Sequence, residues 1–339
     1  MKKTGMRHAA IAAVSLMLSL TASQAAFADT SAPTTKPTPK SMTLMLDWFV
    51  NPNHGPIVIA QEKGYFKANG LDITIQEPAD PSMPPKLVAA NKADLAITYQ
   101  PNLTIDVAAG LPLVRAGTLI ATPLNTLMVL EGKGINSMAD FKGKTIGIAI
   151  AGNEEATIGT MLQSGGVNFD DVKIINVGWA LSSSLASGKV DAIWGGLRNF
   201  ETNQLALEGY KAKAFFPEEH GVPAYDELVF VANANTYDKA AINAFNHALE
   251  QATTYIVNHP QAAWKTFVAY APDTLDNELN HRAWNDTLTR FALRPAAVDL
   301  QRYDDYAAFM KSHNIISTQP TRRITSLSFS NAYHTEYQK

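Results

Sequence analysis

The sequence predicts a mixed α/β protein of two similarly built lobes, with mainly parallel sheets, helices on both sheet faces and a ligand cleft between the lobes. Three observations carry this expectation. From Met42 onward, strand-like and helix-like segments alternate, the pattern of a parallel sheet covered by helices. Two segments 97 residues apart, LVAANKADLAIT (87–98) and SLASGKVDAIWGG (184–196), repeat one grammar. A chain of 339 residues that is 46% hydrophobic and 17% charged is long enough to supply two cores.

The chain opens with Lys2, Lys3 and Arg7, the apolar run AAIAAVSLMLSL (9–20) and Ala26-Phe27-Ala28 before Asp29. A basic start, a short apolar stretch and small residues two apart describe a cleavable secretory leader over 1–28. The run is too short for a spanning helix. Removing it lowers Lys+Arg from 28 to 25 against 31 Asp+Glu, so the mature net charge is −6. A nucleic-acid or anionic-membrane partner is therefore not expected. There is no cysteine, hence no disulfide and no thiol for lipid attachment. The mature protein is expected free in the periplasm, after a Thr/Pro-rich flexible tether over 29–41.

Beyond the tether, MTLML (42–46) reads as a strand. Pro56 sits where a first helical turn tolerates proline, Ile57, Ile59 and Ala60 continue the helix, and Gly64 stops it. LDITIQ (71–76) alternates as a second strand. In the repeated grammar, Asn91 and Gly188 stand at left-handed helix ends, and Asp94 and Asp191 open buried strands. The second lobe starts near FKGKTIGIAI (141–150). TLMVLEGKG (126–134) and YDELVFVAN (225–233) are read as the two crossings between lobes. Ile242, Phe245, Leu249, Ala252 and Ile256, spaced 3 and 4 apart, mark a long amphipathic helix belonging to the first lobe. The expected organisation is lobe 1 over 42–130 and 229–339, and lobe 2 over 131–228.

Catalytic motifs are weak. GKT at 143–145 lacks the glycine of a phosphate loop, because Met138 stands there, and it opens a strand. There is no G-x-S-x-G elbow, and Ser182 to Ser184 fit a helix start. The histidines show neither H-E-x-x-H nor an i,i+4 pair, so no metal site is expected. Glu154 and Glu155 fit the first turn of a helix.

What survives lies at strand carboxyl ends, where open α/β sheets bind ligands. The first strand runs into Asp47-Trp48-Phe49, ADLAIT into Tyr99-Gln100, and VDAIWGG into Arg198-Asn199-Phe200-Glu201. Rings, amides and one carboxylate suit a flat, uncharged or weakly cationic heterocycle. Asp47, Phe49 and Pro52 are read as turn and packing residues, Asn53 as a helix cap, and His54 as a helix-start residue that can at most donate a hydrogen bond.

DWFVNPNHGPIVIAQEKGYF (47–66), GWALSSSLASGKVDAIWGGLRNFETNQL (178–205) and PEEHGVPAYDELVFVAN (217–233) resemble the ThiY-like periplasmic substrate-binding proteins, in the family that also holds the fungal thiamine-pyrimidine synthases. The resemblance spans nearly all of the mature chain; DW-x-x-N-x-NH and RNFE are its most specific pieces. It implies a two-lobed periplasmic-binding-protein fold, an aminopyrimidine thiamine precursor of formylaminopyrimidine or hydroxymethylpyrimidine type, an ABC permease as partner and a monomer without cofactor. Trp48 would stack on the pyrimidine and Glu201 would bond its amino group and a ring nitrogen. Asn51, His54, Tyr99 and Tyr225 are further matched positions, and Asn199 joins them as a strand-end residue. Two alternatives stay open. Relatives of this architecture carry sulfonates, nitrate or other small solutes, which would need a cation such as Arg198 aimed at the ligand. The synthases make the pyrimidine with iron and a cysteine-rich motif, which a chain without cysteine does not carry.

Overall fold

The structure, a computed structural model, describes residues 38–327; the expected leader and most of the tether lie outside them. In chain order the strands are β1 (Lys40–Met45), β2 (Leu71–Gln76), β3 (Leu95–Thr98), β4 (Leu113–Ile120), β5 (Asn125–Leu130), β6 (Thr145–Ile148), β7 (Lys173–Asn176), β8 (Ala192–Leu197), β9 (Ala212–Phe215) and β10 (Leu228–Asn233). They form two five-stranded sheets of one design, β2-β1-β3-β10-β4 and β7-β6-β8-β5-β9. In the first, β1 pairs in parallel with β2 and β3, and β10 lies antiparallel between β3 and β4. In the second, β6 pairs in parallel with β7 and β8, and β5 lies antiparallel between β8 and β9. The reversed strand in each sheet is the one that arrives from the other sheet.

The repeated grammar is a structural repeat. Asn91 (φ 54°) and Gly188 (φ 73°) both take the left-handed conformation that ends a helix. Asp94 accepts the amide of Thr43 on β1 at 2.7 Å, and Asp191 accepts that of Thr145 on β6 at 2.8 Å. Each carboxylate thereby pins the entering strand to its parallel neighbour.

The helix Lys239–Asn258 starts at Asp238, whose side chain accepts the Ala241 amide, a standard N-cap. Its stripe of Ile242, Phe245, Leu249, Ala252 and Ile256 is fully buried against the first sheet, together with Leu44, Ile97 and Phe230. Phe245 stacks on Phe66 at 5.4 Å and meets Phe230 edge-on at 4.9 Å. Among the described residues no helix is long and apolar enough to cross a membrane.

Three boundaries differ from the expected ones. Lys40 and Ser41 already belong to β1 rather than to the tether. β5 sits in the second sheet, so the outward crossing is the segment 121–124 and not 126–134; crossing and strand are both extended, and apolar content does not separate them. The C-terminal helix Leu300–Ser312 packs on both cores, with Tyr303 beside Val229 and Val231 of the first sheet and Tyr306 and Met310 beside Ile146 and Trp194 of the second. It is locked to the return crossing by Asp226, which is buried and accepts hydrogen bonds from Arg302, Thr118 (2.8 Å) and Tyr303 (3.2 Å).

Candidate functional site

The two sheets turn the carboxyl ends of their parallel strands toward one cavity, which holds ≈ 800 Å³ of atom-free space including the part open to solvent. Asp47 and Trp48 reach it from the end of β1, Tyr99 from the end of β3, and Glu201 from the helix after β8. Asn125 and Glu227 reach it from the opposite logic: they sit at the start of β5 and just before β10, and a reversed strand begins where its neighbours end. Among the described residues, no Lys, Arg or His lines the cavity.

The first wall is built on Asp47. Asn51 caps the short turn Pro52–His54 by accepting the Asn53 amide at 2.9 Å, and His54 Nδ1 accepts the Asn51 amide at 3.2 Å. This is a capping box with a histidine in the place of the usual Glu or Gln. Because Nδ1 accepts, the ring proton is on Nε2, and it is donated to Asp47 Oδ1 at 3.0 Å. The Tyr99 hydroxyl donates to Asp47 Oδ2 at 2.8 Å. Burial, then the Asp47 charge, hold the Tyr99 hydroxyl well above its ordinary pKa, and Glu227 and Glu201 add to the effect. Tyr99 therefore stays a neutral donor fixed in one orientation.

The other two carboxylates are anchored by backbone. Glu201 Oε2 accepts the Leu197 amide at 2.7 Å. Glu227 Oε2 accepts the amides of Leu124 (2.5 Å) and Asn125 (2.9 Å), so it ties the return crossing to the outward one. Both are buried, 8% and 1% exposed. Burial pushes each carboxyl up to about 7, against the backbone hydrogen bonds that favour the charged form. Raised carboxyls lining a cavity are candidates for a functional site.

An aromatic cluster is built around Trp48 of the cavity wall. Trp48 lies 4.1 Å from Trp179, which follows β7 of the second sheet, and 5.6 Å from the exposed Phe49. Deeper in, Tyr225 meets Tyr306 edge-on at 5.4 Å.

Of the seven residues named from sequence, the cavity wall holds Trp48, Asn51, Tyr99, Glu201 and Tyr225. His54 is fully buried behind Asp47 with both ring nitrogens engaged, so it bears on the cavity through that carboxylate. Asn199 is also buried outside the wall and donates to Asn53 (2.7 Å) and Thr287 (2.6 Å), cross-linking the turn after β1 to the helix Glu278–Thr287. Two readings need correction. Asp47 is not a mere turn residue, because it lines the cavity and orients Tyr99. Asn51, not Asn53, is the cap. Arg198 turns away from the cavity: it forms a two-armed pair with Glu218 (2.6 and 3.0 Å) and lies over the Phe216 ring at 4.1 Å. Sequence reasoning missed Glu227, Asn125 and Trp179. The signal for the first two was available in the reversed direction of strands that follow a crossing. Among the described residues no group of three or more His, Cys, Asp or Glu is placed to hold a metal ion.

Comparison with known proteins agrees with this architecture. Residues 51–263 match the family model described as NMT1/THI5 like. A Haemophilus influenzae protein named as a thiamine biosynthesis protein is 51% identical over 277 residues, covering 82% of this chain and 88% of its own. The formylaminopyrimidine-binding protein of Halalkalibacterium halodurans is 33% identical over 226 residues, 66% of this chain and 68% of its own. A 4-amino-5-hydroxymethyl-2-methylpyrimidine phosphate synthase of Saccharomyces cerevisiae is 27% identical over 266 residues, 74% and 77% of the two chains. Among solved structures, the alkanesulfonate-binding protein SsuA of Xanthomonas axonopodis pv. citri, bound to MOPS, superposes with TM-score 0.67 at 16% identity, covering 86% of this chain and 99% of that one. That likeness shows the two-lobed periplasmic-binding-protein fold, and with the family match over most of the described residues the chain belongs to the NMT1/THI5-like family.

Proposed function

We propose that the protein is the periplasmic solute-binding component of an ABC importer, and that its solute is an aminopyrimidine precursor of thiamine, of formylaminopyrimidine or hydroxymethylpyrimidine type. The observation that carries this is the cavity's chemistry: Asp47, Glu201 and Glu227 with Trp48, Tyr99 and Tyr225, and no cationic side chain. Such a site accepts N–H donors from a flat ring and offers aromatic faces to it. The binding named for the Halalkalibacterium relative supports the same solute class.

A sulfonate or nitrate would meet buried carboxylates without a compensating cation, since Arg198 is committed to Glu218. The reading also makes the protein a carrier and not a synthase. A cysteine-rich motif has no place in a chain without cysteine. The two segments 121–124 and 224–227 join the sheets and serve as the hinge. Closure about them buries the ring against Trp48 and Tyr99, and the closed shape is what a permease recognises.

The test is a calorimetric and thermal-shift screen of the mature protein against formylated, hydroxymethyl and free aminopyrimidines, thiamine, taurine, alkanesulfonates and nitrate. Saturable binding of an aminopyrimidine, with the pyrimidine recovered unaltered, is expected. Binding of a sulfonate with none for any pyrimidine overturns the proposal.

A further inference from the structure

Trp179 follows β7 on a turn that is fastened at both sides. The Val177 amide donates to the Ile148 carbonyl at 2.8 Å, the Gly178 amide to Asn176 Oδ1 at 2.8 Å, and the Ala180 amide to the Val177 carbonyl at 3.0 Å. Gly178 takes φ 53°, a left-handed conformation that bends the chain there at little cost for glycine. The indole is thereby held out from the second sheet, 43% exposed. Among the described residues its ring neighbours are Trp48 at 4.1 Å and Phe49 at 6.2 Å, both on the first lobe. Trp48 lines the cavity and Trp179 does not, so the second-lobe ring meets the proposed stacking platform without facing the solute. Strand order puts this contact far from the hinge. β7 is the edge strand of its sheet, three strand spacings from β5, where the outward crossing enters; β1 stands two spacings from β10, where the return crossing enters. Three spacings are roughly 14 Å. Rotation about the crossings therefore parts Trp48 from Trp179, whereas the contacts of Glu227 with Leu124 and Asn125, at the crossings themselves, move little. A contact made only in the closed arrangement favours closure by its whole free energy.

Resting on the reading of the protein as a carrier that closes over its solute, the geometry points to Trp179 as a positioning residue, whose indole holds Trp48 from the second lobe and latches the closed form. Solute leaves only after the lobes part, so the latch acts on dissociation. Encounter takes place with the open form, in which the two rings are separated, so association does not depend on it. A tilted indole pair is worth roughly three- to tenfold in an equilibrium constant. Trp179 thus sets how long a solute is kept and leaves the choice of solute to the cavity wall.

Surface plasmon resonance on the immobilised mature protein measures kon and koff for 4-amino-5-hydroxymethyl-2-methylpyrimidine with wild type, Trp179→Ala, Trp179→Phe, Trp48→Ala and the double variant Trp48→Ala/Trp179→Ala. Trp179→Ala is expected to raise koff by about three- to tenfold and to leave kon within about twofold. Trp179→Phe should keep most of the wild-type residence time, since a ring face remains for Trp48. Once Trp48→Ala is present, adding Trp179→Ala should change koff by less than about twofold, because the partner ring is gone. An unchanged koff in Trp179→Ala, a loss that falls on kon, or an undiminished effect of Trp179→Ala in the double variant overturns the assignment. If Trp179→Ala does not fold, Trp179→Leu, which keeps apolar bulk without a ring face, is judged by the same criteria. Failure of wild type to bind any aminopyrimidine is a separate result: it removes the functional reading, and the same rates measured with the solute that the screen does identify then decide the latch.

Discussion

Replacing Glu201 by Gln should make the ligand-free protein more stable at pH 8 and leave it unchanged near pH 4.5. Gln keeps an acceptor for the Leu197 amide, which Oε2 now binds at 2.7 Å, and it removes only the charge. Burial raises the Glu201 carboxyl from the ordinary 4.5 to about 7 in the folded protein. Between those values the folded state holds a proton that the unfolded chain has lost, so stability declines as pH rises, by at most about 1.4 kcal/mol per pH unit. The decline is complete above pH 7 and amounts to about 3 kcal/mol. Gln does not titrate. The stability difference between variant and wild type should therefore grow from near zero at pH 4.5 to about 3 kcal/mol at pH 8. Urea unfolding of both proteins at pH 5, 6, 7 and 8, after refolding to strip carried ligand, measures it. A difference independent of pH, or a variant less stable throughout, would refute the claim that burial of an ionisable carboxyl dominates this wall.

Two further outcomes follow from the first wall. Asp47→Asn offers a donor where Asp47 now accepts from both His54 and Tyr99, and should cost about 1.5–3 kcal/mol in urea unfolding at pH 7; a change under about 0.5 kcal/mol would sink the proposed orienting role. Trp48→Ala should weaken the aminopyrimidine by roughly tenfold or more in calorimetry, the scale of a lost aromatic pair with its buried area, with little change in thermal stability because Trp48 is only half-buried; unchanged affinity would remove Trp48 from the stacking role.

The repeated grammar made the architecture legible because it encodes a physical junction. A left-handed residue at the helix end and a carboxylate that caps the neighbouring strand's amide recur wherever an α-to-β passage must enter a parallel sheet. Trp48, Tyr99 and Glu201 were legible for a similar reason, since each follows the last residues of a parallel strand. His54 and Asn199 were drawn toward the site by that rule and lie behind the wall instead. Their partners place them there: Asp47, across the turn, for His54, and Thr287, 88 residues on, for Asn199. Hydrogen-bonding capacity alone does not tell a side chain that faces a cavity from one that fastens the cavity's frame.

Glu227 shows the complementary blind spot, because a strand that crosses between the sheets brings its first residues to the cavity wall. A strand that crosses from one sheet to the other enters antiparallel to its new neighbours, so its first residues lie where theirs end. Searching only carboxyl ends passes over Asn125 and Glu227, although both starts open on the cavity. Each start also adjoins a passage between the two sheets, Asn125 after 121–124 and Glu227 just before β10. On the proposed reading, side chains there serve closure and recognition together. Burial at that point raises the Glu227 carboxyl to about 7, against the hydrogen bonds that favour its charged form.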